Sequence, residues 1–258
     1  MKRFLAALLG SLLLLGWYFP ASGADMPVKG LPAPYTPAYN WSGLYFGLQG
    51  GGDIAAIPLS NLNPGPAATG SQAAAFGDPG VFGAGANGFT AGGHVGFNIP
   101  FTSAFVGGIE VGAQATGLSS NQNVTMVNNG IGLNAASAFN LVWDGYADAK
   151  LGWLLGRNVY LYGIGGMSFG EIKDTASLSM GAANTTLTAN DIRTGWNAGL
   201  GVDYCFDPKF CMGTRYRYVS YGPKSLGALT DPKQEVVFAP NRPSAFNEFT
   251  IRAWIPLY

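Results

Sequence analysis

From Trp41 to the end of the chain, polar and apolar residues alternate more often than they cluster. Alternation with a period of two puts successive side chains on opposite faces of an extended strand. Eight strands are expected on this pattern, at 41–50, 88–99, 103–115, 139–153, 158–170, 193–206, 211–221 and 247–257. Several carry a clean apolar face. Residues Phe89, Ala91, Gly93, Val95, Phe97 and Ile99 share one; Phe105, Gly107, Ile109, Val111 and Ala113 share the next. In the fourth strand the set runs Leu141, Trp143, Gly145, Ala147, Ala149, Leu151 and Trp153. The sixth gives Trp196, Ala198, Leu200, Val202, Tyr204 and Phe206, and the eighth Phe249, Ile251, Ala253, Ile255 and Leu257. Residues 158–170 are apolar on both faces and leave their phase open.

The opposite faces collect His94, Glu110, Asp144, Asp148, Lys150, Arg193, Asp203, Arg215, Arg217 and Arg252. The contrast is sharpest in CMGTRYRYVSY at 211–221. There Arg215 and Arg217 share a face with Val219 and Tyr221, while Tyr216 and Tyr218 share the other with Met212 and Thr214. The connections alternate too. Those at 53–87, 116–138, 171–192 and 222–246 are long; those at 100–102, 154–157 and 207–209 are tight turns. Long connections at one end and short turns at the other describe an all-β, eight-stranded, antiparallel up-and-down transmembrane β-barrel, apolar outside and polar inside. The reverse placement would cost roughly 2–4 kcal/mol for each arginine near the middle of the bilayer. A soluble sandwich or lipocalin-like barrel would instead bury the aromatic face. Strands of ten or more residues and the long–short alternation favour the membrane form.

Composition agrees. Glycine numbers 39 of 258 residues and charged residues only 11%, against a usual quarter charged. Aromatics at 13% exclude a disordered chain. Beyond the first 24 residues no apolar run approaches the ~20 residues of a membrane helix. The amino end reads as a signal peptide over 1–24, with Lys2 and Arg3 before an apolar core and Ser22-Gly23-Ala24 before the cut. A Pro-rich leader follows over 25–40, expected to be periplasmic, and the barrel occupies 41–258. Without Lys2 and Arg3 the 14 bases become 12 against 14 acids, a formal charge of −2, which excludes a basic nucleic-acid binder. Export brings Cys205 and Cys211 into an oxidising compartment. Asp207-Pro208 between them signals a turn that would face them across a hairpin, so a disulfide is expected. Two buried free thiols, or a zinc half-site needing two further ligands, are the alternatives; the single histidine is His94.

WSGLYFG at 41–47, after the Pro-rich leader, resembles the first strand of the small alphaproteobacterial outer-membrane β-barrel family, which includes surface antigens and haemin-binding proteins. LYGIGGMSFG at 161–170, TGWNAGLGVDYCF at 194–206 and RYRYVSYG at 215–222 resemble its later strands. The resemblance implies an OmpA-type barrel without a peptidoglycan-binding domain, in the outer membrane of a Gram-negative bacterium with its long loops extracellular. It also implies lipid, lipopolysaccharide and the barrel-assembly machinery as partners, with protein partners at the four long loops. One departure is the final residue: such barrels usually end in Phe in phase with the lipid face, and Tyr258 is out of phase with Phe249 to Leu257.

An eight-stranded barrel is just wide enough for its own side chains to fill. The inward charges, five bases, four acids and one histidine, are therefore expected to form an ion-pair core that closes the lumen. The function expected is structural, with surface interaction. The alternatives are a small-solute porin, a haemin binder or an adhesin. No cofactor or metal is expected, since the long loops offer a haem iron only Met126 and Met180 as soft ligands. Catalysis is not expected either. Asp144 and Asp148 have no evident substrate cleft, and His94 points inward. The G-x-G-x-x-G match at 83–88 sits in what reads as a low-complexity loop, without the strand-to-helix context of a dinucleotide site.

Overall fold

A computed structural model describes residues 40–58, 62–64, 83–128, 131–156, 158–180, 183–225, 229–230, 236–238 and 241–257. The signal sequence, the leader up to residue 39, most of the first expected loop and Tyr258 lie outside these residues. Every regular element among them is a strand. In chain order they are β1 (Gly43–Pro58), β2 (Leu62–Pro64), β3 (Gly83–Pro100), β4 (Phe105–Thr116), β5 (Ser119–Asn128), β6 (Ile131–Leu155), β7 (Val159–Met180), β8 (Ala183–Asp207), β9 (Phe210–Ser225), β10 (Leu229–Thr230), β11 (Val236–Phe238) and β12 (Asn241–Leu257).

The large strands close on themselves. β1 pairs antiparallel with both β12 and β3, and the ring continues through β4, β6, β7, β8 and β9 back to β12. β4 and β5 together form one side of the ring, since both lie between β3 and β6. The result is an eight-stranded barrel. Closure leaves none of these strands with an unpaired edge, which a bilayer could not hydrate.

The tight turns fall where the sequence places them, between Pro100 and Phe105, Leu155 and Val159, and Asp207 and Phe210. The opposite end differs. Residues 116–138 and 171–192, expected as long loops, are largely continuous strand: β5 pairs with β6 up to Asn128↔Ile131, and β7 with β8 up to Met180↔Ala183. Residues 53–58 and 83–87 likewise extend β1 and β3, so the G-x-G-x-x-G stretch is strand, not loop. The first and fourth expected loops meet in a small sheet, β10-β11-β2. Small Ser, Thr, Asn and Ala side chains hide these extensions in the sequence, because they leave the alternation faint.

Outside, the apolar faces form a belt. Phe89, Ile109, Leu200, Phe206 and Ile251 are among the most exposed large side chains. On β6 the belt runs from Leu155 to Trp143. Twelve steps of ~3.3 Å tilted by ~40° rise about 30 Å, close to the hydrocarbon core of a bilayer. The ambiguous strand resolves with Tyr160, Tyr162 and Ile164 inward and Leu161 and Met167 outward. One expected face is corrected. A bulge between Leu141 and Trp143 shifts the register of β6 against β7, so Leu141 is 1% exposed and points inward with Phe139.

Candidate functional site

The lumen is stacked in three layers. Nearest the tight turns lies an aromatic cluster of Trp41, Tyr45, Tyr160, Tyr162 and Trp254, packed with Val106 and the cysteines. Cys205 and Cys211 are joined in a disulfide across β8 and β9, which removes the zinc and free-thiol alternatives. At the far end a second apolar cluster contains Leu118, Phe139, Leu141, Ile172, Val219, Tyr221 and Phe246. Between them is a layer of buried charge.

Glycine makes this packing possible. Inward glycines at 96, 112 and 201 each lie where an added Cβ would fall on a tyrosine ring, Tyr45, Tyr146 and Tyr162 respectively. A barrel this narrow holds large rings only where the facing wall has no side chain.

Glu110 on β4 is the hub of the charged layer. Its Oε2 accepts from Tyr45 at 2.7 Å, from Arg252 at 2.7 Å and from Lys150 at 3.4 Å. Its Oε1 accepts from Arg215 at 2.9 Å, and the Tyr146 hydroxyl lies 3.1 Å away. Arg215 also donates to Gln49 at 3.0 Å. Toward the second apolar cluster, Arg217 pairs with Asp144 and with Glu248, the latter at 2.6 Å. Gln114 bridges the same two carboxylates, and Tyr221 donates to Asp144. Both guanidinium carbons lie 4.5 Å from the centre of the Tyr146 ring. Lys150 sits 4.4 Å from the Tyr162 ring centre and 5.0 Å from that of Tyr45. Rings that face a cation favour it electrostatically, so the tyrosines both fill the lumen and hold its charge.

The ten inward residues read from the sequence are all buried, but they do not act as one group. Glu110, Asp144, Lys150, Arg215, Arg217 and Arg252 are in the ion-paired layer. Asp203 belongs to the aromatic end, where Tyr162 and Trp254 both donate to it at 3.2 Å. Asp148 is apart from Asp144 and accepts from Asn197 at 2.8 Å. Arg193 lies in the register row of Asp144 and Gly170, on the β8 side. His94 is 2% exposed, edge-on to Tyr45, and neither ring nitrogen has a hydrogen-bond partner. Three further acids enter the lumen that the alternation does not single out. Glu248 is one, although its phase with Arg252 on the last strand is a readable signal. Asp53 and Asp174 are the others, both buried in stretches expected to be loops. Among the described residues no group of three or more His, Cys, Asp or Glu is arranged to hold a metal. The side chains of Met126 and Met180 lie outside the described residues.

An apolar belt around a closed antiparallel ring, with ion pairs inside, defines an outer-membrane-type β-barrel. The family of outer membrane protein beta-barrel domains matches residues 28–237, and the chain belongs to that family. It is similar to the 31 kDa outer-membrane immunogenic proteins of Brucella melitensis and Brucella suis, each 24% identical over 80% of this chain and 83% of the relative. The family and these relatives place the chain in the outer membrane of a Gram-negative bacterium. Solved structures that resemble it include the attachment invasion locus protein Ail of Yersinia pestis in complex with the heparin analogue sucrose octasulfate. It has a TM-score of 0.37 and 11% identity, covering 83% of this chain and 99% of that one. Neisserial surface protein A gives 0.33 and 15%, covering 82% and 97%. The outer membrane protease OmpT of Escherichia coli gives 0.42 and 8%, covering 88% and 100%.

Proposed function

We propose that this barrel is a structural and surface-interaction protein whose lumen does not conduct. The observation that carries the reading is the layering of the lumen. Buried ion pairs span the bore from Glu110 on β4 to Arg215 on β9 and Arg252 on β12, and an apolar cluster closes each end. A solute would have to break charge-assisted bonds held in a low dielectric and also cross a ring of packed aromatics. Bonds of that kind are strong when made and costly to leave unmade. The same layering speaks against a solute porin. His94 is buried and neither ring nitrogen has a hydrogen-bond partner, so it is not paired with a nucleophile as general-base catalysis would need.

In this reading the tight turns face the periplasm and the extended ends of β5 to β8 face outward, as short and long connections do in such barrels. The strand extensions, rather than free loops, then present the surface to partners. Single-channel recording of the folded protein in a planar bilayer tests the proposal. The expected result is no discrete conductance from barrels shown to be folded by heat-dependent gel mobility. Steps that change in size with Arg217→Ala would establish a pore instead.

A further inference from the structure

Cys205 and Cys211 are six residues apart in the chain and directly opposite each other on β8 and β9. The turn between them brings them together without help from any remote element, and the Lys209 amide donates to Asp207 at 2.6 Å within it. The cover over the pair comes from elsewhere. β9 lies between β8 and β12, and Trp254 of β12 is the register partner of Cys211. Its indole reaches past β9 and donates to Asp203 of β8 at 3.2 Å. To do so it crosses the inward positions of β9 that lie between, Cys211 and Gly213. Gly213 leaves room for the bridge, since a Cβ there would fall on the Asp203 carboxylate. Trp41, just ahead of β1, packs against Trp254 with ring centres 6.0 Å apart and against Tyr160 at 5.2 Å. Within this packing Cys205 is 1% exposed and Cys211 is fully buried. On the outer side Tyr204, Phe206, Phe210 and Met212 belong to the apolar belt. Both covering indoles thus come from β12 and the entry to β1, the two strands whose pairing closes the ring.

We propose that Cys205 and Cys211 are oxidised on the open chain, as the β8–β9 hairpin, by an exported enzyme bearing a reactive disulfide, and that ring closure then seals the bond. The thiolate of one cysteine attacks the enzyme's disulfide, forming a mixed disulfide and breaking the enzyme S–S bond. The thiolate of the other cysteine attacks the chain sulfur of that mixed disulfide and releases the enzyme. The chain gives up two electrons and two protons, and the enzyme takes both up as its dithiol. Each attack needs the incoming sulfur to reach the bond it breaks. In the open hairpin both thiols are within reach. In the closed barrel an enzyme sulfur would have to displace Trp41 and Trp254 from the bore or come through the lipid belt. The same cover keeps reductants out, so the bond is permanent while the barrel stays closed.

The test uses the reduced full-length protein in two states. One is folded in detergent under reductant and verified by heat-dependent gel mobility. The other is diluted from urea into buffer without detergent, where the barrel has no micelle to fold in. Each is freed of reductant and mixed at one pH with a purified thioredoxin-fold oxidase in its disulfide form. Remaining thiols are counted by alkylation and mass. The unfolded chain should be oxidised about a hundredfold or more faster than the folded barrel, which reacts only through local opening. Trp254→Ala, or Trp41→Ala should the first not fold, should raise the folded rate about tenfold and leave the unfolded rate unchanged. Comparable rates for the folded and unfolded wild type would overturn the proposal, and a folded rate that neither substitution changes would overturn the seal. A reduced wild-type chain that cannot fold would itself set oxidation before closure. The order is also read in a Gram-negative host depleted of its barrel-assembly machinery. There the unassembled chain, trapped with an alkylating agent, should already lack free thiols. A reduced unassembled pool beside an oxidised assembled one would overturn the order.

Discussion

Replacing Glu110 by glutamine should strain the lumen more than any other single change of similar size. The side chain keeps its volume and loses its charge. In the native protein three cations converge on it: Arg215 at 2.9 Å, Arg252 at 2.7 Å and Lys150 at 3.4 Å, all on side chains at most 1% exposed. Lys150 would retain the Tyr45 hydroxyl at 3.0 Å, Arg252 the Tyr162 hydroxyl at 2.9 Å, and Arg215 the Gln49 carbonyl at 3.0 Å with Glu248 at 3.6 Å. None of these but Glu248 carries a countercharge. Breaking a buried pair by removing one partner costs about 3–5 kcal/mol, because the other charge stays buried and uncompensated. Glu110→Gln should therefore lower unfolding stability by about 3–5 kcal/mol. The assay is urea unfolding of the protein folded in phospholipid vesicles, followed by tryptophan fluorescence. Arg252→Met should cost less, since Glu110 keeps two cations. The double variant should be milder than the sum of the singles by about 1–3 kcal/mol, as expected for residues in one network. A loss below about 1 kcal/mol for Glu110→Gln, or strict additivity in the cycle, would refute the account of the lumen as a coupled ion-paired core.

Two further outcomes follow from the faces and the hairpin. Leu200→Arg, in the lipid belt, should destabilise by about 2–4 kcal/mol in the same assay, whereas Thr188→Arg on the polar extension of the same strand should change little; equal effects would mean that the belt is misplaced. Replacing both Cys205 and Cys211 by alanine opens a loop so short that its closure is worth only about 2 kcal/mol. The barrel should still fold, with a lower urea midpoint and no response to reductant. Loss of folding would show that the disulfide is needed for assembly rather than for added stability.

Much of the architecture is legible in the chain because the bilayer imposes it. A strand between lipid and a narrow lumen must separate apolar from charged residues every second position. Phe89 to Ile99, Trp196 to Phe206 and the Arg215–Arg217 pair carry that separation without ambiguity, and their faces in the folded protein match it. The tight turns and the pairing of Cys205 with Cys211 are legible for a related reason, since each is set by a few adjacent residues.

What period-two patterning could not decide is anything that depends on a partner strand. The inward turn of Leu141 comes from a bulge against β7, so the phase that alternation gives to Phe139-Asn140-Leu141-Val142-Trp143 does not hold across it. The strand extensions at 116–138 and 171–192 are rich in Ser, Thr, Asn, Ala and Gly, with few large side chains between them, so their alternation is weak. They become strands because β6, β7 and β8 template one another. The roles within the lumen are tertiary as well. Glu110, Arg215 and Arg252 lie on three strands and meet only because the sheet closes. Asp148, inward like them, is left to Asn197. Alternation along the chain determined which side chains enter the lumen. Closure and register alone decided which of them touch, because contact across a barrel depends on the shear between strands and leaves no trace along any one of them.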